Sequence, residues 1–261
     1  MSWLLVCFAA LAGSGLTFFS GFGLGTLLLP VFALFFPVPT AVAMTAVVHL
    51  ANNLFKLGLV GRDADWRTVG RFGFPAALAA IAGASLLAVF ADLPPWATYQ
   101  LAGATRAVAP VKAVVGALVL AFAVLELSPR FASLAVPARW LPVGGALSGF
   151  FGGLSGNQGA LRSAFLVRLG LSKEAFVGTG AVCAVVVDVV RLCVYGAQFH
   201  ASGWAVLRGD DAGMVAAATL CAFAGAWLGK RVIHKVTLVF VERMVASGMA
   251  LVGLGLVAGL V

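Results

Sequence analysis

Eight stretches of this chain run for about twenty residues or more with few or no charged side chains: 3–36, 38–60, 72–91, 97–127, 140–161, 174–198, 211–229 and 244–261. The fourth is interrupted by Arg106 and Lys112, and the fifth extends toward Leu169. About twenty consecutive apolar residues are what a helix needs to cross the hydrocarbon core of a bilayer. Only 10% of the residues are charged and 62% are apolar, with a mean hydropathy of +1.08. A soluble domain carries roughly a quarter charged residues, so a water-covered globule is excluded. The expected fold class is all-α: one polytopic membrane domain of seven or eight segments over 1–261, with nothing left for a soluble domain.

Lys and Arg number 17 against 9 Asp and Glu. In a soluble chain that excess would point to nucleic acid. Here the basic residues fall in short loops between apolar runs, which is the pattern that sets membrane orientation, so nucleic acid is not an expected partner. The four cysteines, Cys7, Cys183, Cys193 and Cys221, lie inside apolar segments without a C-x-x-C pair or a histidine at ligand spacing. They read as buried structural thiols. No Lys or Arg precedes the first apolar run, so a cleaved signal peptide is not expected.

The first run, 3–36, is too long for one span and too short for two. Near its middle lies Gly21-Phe-Gly-Leu-Gly25, and each glycine weakens a helix by up to about 1 kcal/mol. A broken helix or re-entrant hairpin fits that length. The fifth run behaves alike, reaching Gly149-Phe-Phe-Gly-Gly-Leu-Ser-Gly-Asn-Gln-Gly159 before Arg162. Basic loops at 61–71, 128–139 and 230–243 should all be cytoplasmic. Three apolar segments separate the second loop from the third, which would put the third on the wrong side. The conflict disappears if the fifth run dips in and returns.

With both runs as hairpins, the chain divides into two repeats, about 1–130 and 138–261, in inverted orientation. A shift of 134 places Gly25 on Gly159, Thr45 on Thr179 and Val60 on Val194. Inverted repeats with broken helices are one way transporters build a midplane site for alternating access.

Gly21-Phe-Gly-Leu-Gly-Thr-Leu-Leu-Leu-Pro30 and Pro39-Thr-Ala-Val-Ala-Met-Thr45, with their second-half counterparts Gly149–Gly156 and Leu171–Thr179, resemble the TauE/SafE sulfite exporter family. The resemblance implies a bacterial inner-membrane, multi-pass transporter of anions such as sulfite or sulfonates, and not an enzyme. The chain departs from the family outline at Gly156-Asn-Gln-Gly-Ala-Leu-Arg162, where a glycine cluster, an apolar run and a proline are usual. That departure puts sulfite itself in doubt and sets two amides and a cation at the break.

An interrupted membrane helix frees backbone polar groups, tolerated only against protein or a wet cavity, and half-helix N-termini attract anions. Gly23, Gly25, Asn157, Gln158 and Gly159 are therefore candidate substrate contacts, although the glycines could equally serve close helix packing. Arg162 sits early in an apolar helix, where a charge costs at least about 2.5 kcal/mol at the bilayer centre. It can clamp a sulfonate or carboxylate, snorkel, or pair with Asp188. Thr45, His49, Asn52 and Lys56, spaced 4, 3 and 4, form one polar stripe with Asn53 beside it. Thr45, His49 and Asn52 join the candidate list with Thr179. His49, with an unperturbed pKa of about 6.5, suits proton coupling or simple packing, and Lys56 an interfacial anchor.

Asp188 and Arg191, three apart, read as a self-neutralising pair with Tyr195 one turn on. Arg106 and Lys112 flank Pro110 and could draw in anions or anchor the helix. No Walker loop, metal-ligand cluster or paired catalytic carboxylates are present in the sequence, and no cofactor is expected. The expected partners are a small anion, the lipid bilayer and, as an option, a second copy of the chain. A channel, or a membrane subunit without transport activity, is the alternative.

Overall fold

The computed structural model describes the chain except residues 1, 17, 19–23, 102, 129–135, 199–209, 233–237 and 261. Its helices are α1 (Ser2–Leu16), α2 (Leu24–Ala33), α3 (Val38–Val60), α4 (Trp66–Asp92), α5 (Pro110–Leu127), α6 (Leu141–Ser155), α7 (Gly159–Leu166), α8 (Lys173–Gln198), α9 (Asp210–Val232) and α10 (Leu238–Val257). Among the described residues, Val38–Asp63, Trp66–Asp92, Pro110–Leu127, Lys173–Ala197 and Asp211–Arg231 are long and apolar enough to cross a membrane. Leu4, Val124, Leu220 and Leu251 are exposed on the outside, as side chains facing lipid should be. The molecule is a helical, multi-pass membrane protein.

Prolines mark several helix starts. Pro39, Pro110 and Pro142 stand in the first turns of α3, α5 and α6, where a missing N–H costs nothing. Asp65 caps α4, accepting from Arg67 N (3.2 Å) and Thr68 Oγ1 (2.6 Å). Just ahead of Pro75, α4 widens into a π turn over Val69–Gly73. The proline ring would otherwise meet the carbonyl four residues back, and the wide turn gives it room.

The fourth apolar run departs from a single span. Residues Ala97–Leu101 (β1) and Ala104–Val108 (β2) pair antiparallel, Tyr99 opposite Arg106, around Gly103 at φ +77°. Thr98, Tyr99, Thr105 and Val108 favour strands, and Pro110 ends the hairpin by opening α5. Arg106 is thus on a strand. Its Nη1 donates to the Leu260 carbonyl (3.2 Å), and the Tyr99 hydroxyl donates to the Ala258 carbonyl, fastening the hairpin to the end of α10.

The fifth run reverses direction. Gly144 on α6 faces the Phe165 ring on α7, and a Cβ on Gly152 would lie 2.9 Å from the Gln158 Cβ. In one straight helix residues 144 and 165 would stand about 30 Å apart. At the turn Gly156 adopts φ +78° and donates to the Gly152 carbonyl (2.9 Å), a left-handed cap that only glycine reaches cheaply. The first run folds back as well: a Cβ on Gly13 would meet Leu27 Cδ1 at 2.9 Å and Leu24 Cδ1 at 3.5 Å. Its own turn lies outside the described residues, and Gly21 with it.

Two helix crossings run backbone to backbone. On α6, Gly145, Gly149 and Gly153 lie against the carbonyls of Phe72, Ala76 and Ala80 on α4, and any Cβ there would overlap them. On α9, Gly225 and Gly229 lie likewise against the carbonyls of Leu11 and Gly15 on α1. Small residues let membrane helices approach this closely. Farther along, α5 packs on α10 at Gly116 and Gly253, and α3 crosses α8 at the centre.

The α1–α9 register makes a prediction. Leu11 with Gly225 and Gly15 with Gly229 share a shift of 214, in parallel orientation, and that shift sets Cys7 opposite Cys221; the two thiols are in contact. A disulfide needs Cα atoms within about 7 Å. Copper-phenanthroline oxidation of membranes is therefore expected to join Cys7 to Cys221 in most molecules, detected by mass spectrometry of the unreduced digest. Absence of that linkage would refute the register.

Candidate functional site

Where α3 crosses α8, the tip of the second hairpin meets them. Asp188 on α8 is fully buried and is the centre of the arrangement. Its Oδ1 accepts from Arg191 Nε (3.0 Å) and lies 2.7 Å from Arg191 Nη2, and it also accepts from Gln158 Nε2 (3.0 Å). Its Oδ2 lies 2.7 Å from His49 Nδ1 on α3. A carboxylate only accepts, so that ring nitrogen carries its proton and donates. Arg162 Nη1 donates to Gln158 Oε1 (3.3 Å). A continuous chain, Arg162–Gln158–Asp188–His49, thus joins three elements through buried side chains.

The surroundings hold this chain in place. Arg191 Nη1 donates to the Gly152 carbonyl (3.2 Å), the Tyr195 hydroxyl to the Gly153 carbonyl, and Ser148 Oγ to the Gln158 carbonyl (2.8 Å). The end of α6 and the tip of the hairpin are therefore held by α8. From the other side, a Cβ on Gly25, at the start of α2, would lie 3.4 Å from the Gly156 carbonyl oxygen and 3.6 Å from His49 Cδ2. The two glycine breaks meet at His49. Asn53 Nδ2 donates to the His49 carbonyl (2.8 Å) and lies beside the ring, 3.1 Å from Nδ1 and 3.4 Å from Nε2.

The break itself, where the sequence suggests an open anion position, is filled by the protein's own carboxylate. The cavity lies one turn further along α7. It is lined by Lys56 and Asn53 of α3, Arg162 and Ser163 of α7, and Phe18 and Gly180 among others, with no acidic side chain on its wall among the described residues. It has room for about one or two waters. Lys56 is buried rather than anchored at a headgroup, its Nζ 5.4 Å above the Phe18 ring, a cation–π contact that eases its desolvation. Arg162, 4% exposed, neither snorkels nor makes the pair with Asp188, which belongs to Arg191.

The sequence candidates are thus partly united. His49, Gln158 and Arg162 share one network, with Gly25 against it, and Gly159 is buried as the first residue of α7. Asn157, 1% exposed, donates from Nδ2 to Ser155 Oγ (3.2 Å), and its Oδ1 has no hydrogen bond among the described residues. The polar stripe on α3 divides. Asn52 turns to α1 and accepts from Ser14 Oγ (3.0 Å), while Thr45 Oγ1 and Asn52 Nδ2 have no hydrogen-bond partner among the described residues. Thr179 stands apart: its Oγ1 accepts from the Asp65 N–H (2.8 Å), tying α8 to the start of α4. Gly23 lies outside the described residues. Asp188, Arg191, Asn53, Lys56 and Ser163 were not among the candidates, although an acid inside an apolar span is itself a strong functional signal.

A search of curated proteins returns no match. The family described as "Sulfite exporter TauE/SafE" matches the chain over residues 5–256. That match covers both glycine-broken hairpins, the α3–α8 crossing and the cation-lined cavity, and the chain belongs to the TauE/SafE family of membrane transporters.

Proposed function

We propose that this protein is a bacterial inner-membrane carrier for a small anion of the sulfite or sulfonate type, working by alternating access of two inverted repeats. The observation that carries the reading is the cavity beside the second hairpin. Lys56 and Arg162 both line it, and among the described residues no carboxylate does. Guanidinium and ammonium groups in a low-dielectric site favour a small oxyanion, the guanidinium through paired N–H bonds. Asp188, whose charge is met by Arg191, does not compete for the cavity.

The packing supports the two repeats. Exchanging α1 with α6, α2 with α7, α3 with α8, α4 with α9 and α5 with α10 carries the α1–α9 crossing onto α6–α4. It also carries α3–α9 onto α8–α4, and leaves α3–α8 and α5–α10 as self-paired contacts. The basic stretches at 61–71, which runs into the first turns of α4, and at 168–173 lie beyond the cavity end of α3 and α7, so the cavity faces the cytoplasmic side on the positive-inside rule. A carrier of this kind can function alone or as a pair of chains.

The test is uptake by reconstituted protein of sulfite, methanesulfonate and acetate. Saturable uptake of one or both sulfur anions is expected, and Arg162→Ala should lower it by at least about tenfold, the effect of losing one charge-assisted hydrogen-bonding group of about 1.5–3 kcal/mol. Arg67→Ala, on the exposed start of α4, should not. Unchanged flux in Arg162→Ala would remove this cavity from the pathway.

A further inference from the structure

The chain of hydrogen bonds leading away from the cavity ends on a titratable ring. Arg162, on the cavity wall, donates to Gln158, Gln158 donates to Asp188, and His49 donates to the other oxygen of the same carboxylate. With Nδ1 committed to Asp188, the nitrogen left to gain or lose a proton is Nε2. It looks toward the meeting point of the two glycine breaks, 3.9 Å from where a Gly25 Cβ would stand.

The charges around the ring decide what that proton does. On α8 the ring faces Asp188 and Arg191, whose charges cancel across 2.7 Å. From α7 it faces Gln158 and, within electrostatic reach, Arg162. On its own helix it has Asn53, with Lys56 one turn beyond. Acid and base are already balanced at Asp188, so a proton on Nε2 adds a net positive charge to a buried site that also holds Lys56 and Arg162. A small anion in the adjoining cavity offsets that charge. Each ligand therefore lowers the cost of the other, and by linkage the effect is reciprocal. Intramembrane His and Asp side chains in series are the usual means of moving protons in transporters.

We propose that His49 Nε2 binds a proton that travels with the anion, making the protein a proton–anion symporter, with Asp188 and Gln158 as the positioning residues that tie the ring to Arg162. The balance is simple: one proton adds to Nε2 on one side of the membrane and leaves it on the other, and no covalent bond to the anion changes. This rests on the anion-carrier reading above and adds the coupling ion and its direction.

The experiment uses proteoliposomes with the membrane potential clamped and methanesulfonate as the probe, since its charge is constant between pH 5 and 8. An inward proton gradient is expected to raise the initial uptake rate at least about fivefold over the rate without a gradient, a coupling of ordinary size, with measurable alkalinisation outside. In His49→Gln the ratio of gradient-driven uptake to anion exchange should fall to about one, whatever its absolute rate. Wild-type binding, followed by thermal shift, should be at least about fivefold tighter at pH 5.5 than at pH 8; this holds the test even if the variant fails to fold.

Equal affinity at the two pH values, or uptake indifferent to the gradient, would overturn the symport proposal while leaving the carrier intact. Uptake accelerated equally in His49→Gln would remove His49 as the proton site. A wild-type protein that moves neither methanesulfonate nor sulfite would overturn the carrier reading and the coupling with it.

Discussion

Asp188→Ala is expected to destabilise the protein by about 3–5 kcal/mol, the range found when one partner of a buried ion pair is removed. The loss exceeds that of one contact because three donors converge on this carboxylate. Arg191, fully buried, keeps its charge with the Gly152 carbonyl and the Tyr195 hydroxyl as its remaining partners among the described residues. His49 Nδ1 and Gln158 Nε2 lose their acceptor as well, and a buried donor left unmade costs about 1–3 kcal/mol. Asp188→Asn keeps an oxygen acceptor and should lose less. The double variant Asp188→Ala with Arg191→Met should recover part of the loss, since it removes the stranded charge along with its partner. Apparent melting temperature in detergent, with folded yield, ranks the three. Equal stability of Asp188→Ala and wild type would mean the carboxylate does not hold the crossing together.

Gly156→Val should be nearly as severe, about 2–5 kcal/mol, from two separate causes. The residue sits at φ +78°, where an L side chain pays about 1–2 kcal/mol. A Cβ there would also lie 2.9 Å from Arg191 Nη1, pushing the guanidinium off both the Gly152 carbonyl and Asp188. Overpacking of this kind costs about 1–3 kcal/mol. The second cause passes through Arg191, so Gly156→Val should be less damaging when Arg191 is already Ala. A double-mutant cycle read by thermal shift gives that coupling. Strict additivity would show that strain at the turn accounts for the whole effect.

Much of this architecture is written in patterns of run length, glycine placement and loop charge. The first and fifth runs have the wrong length for a span and carry glycines at the middle, and the loop charges independently require the fifth to return; Phe165 lying on Gly144 is that return. What escaped has physical reasons. Counting apolar residues is blind to period, so Ala97–Val108, apolar enough for a span, hides a two-stranded hairpin. Asp188 reads from the sequence as the partner of Arg191 alone, but a carboxylate has about four lone-pair sites, more than one guanidinium fills, and Gln158 reaches Oδ1 while His49 reaches Oδ2. Thr179 mirrors Thr45 in the sequence and is polar in an apolar helix, yet it bonds an amide 114 residues away, a pairing set only by how α8 lies on the α3–α4 turn. Lys56 near a helix end looks like an anchor until the Phe18 ring and the cavity are seen around it.

The backbone-to-backbone crossings have a mechanical meaning. The first hairpin is locked through Gly225 and Gly229 to α9, a helix from the far half of the chain, and the second is locked through Gly145, Gly149 and Gly153 to α4, from the near half. With no side chains between them, such surfaces cannot slide without carbonyls riding over Cα atoms. A motion that carried residues 1–130 as one block against 138–261 would have to shear both seams at once. The natural rigid pieces are therefore exchanged ones, each a hairpin and its borrowed helix, and the softer joints are the side-chain-filled contacts between α3 and α8. A single polar network sits across that joint, with Asp188 as its pin.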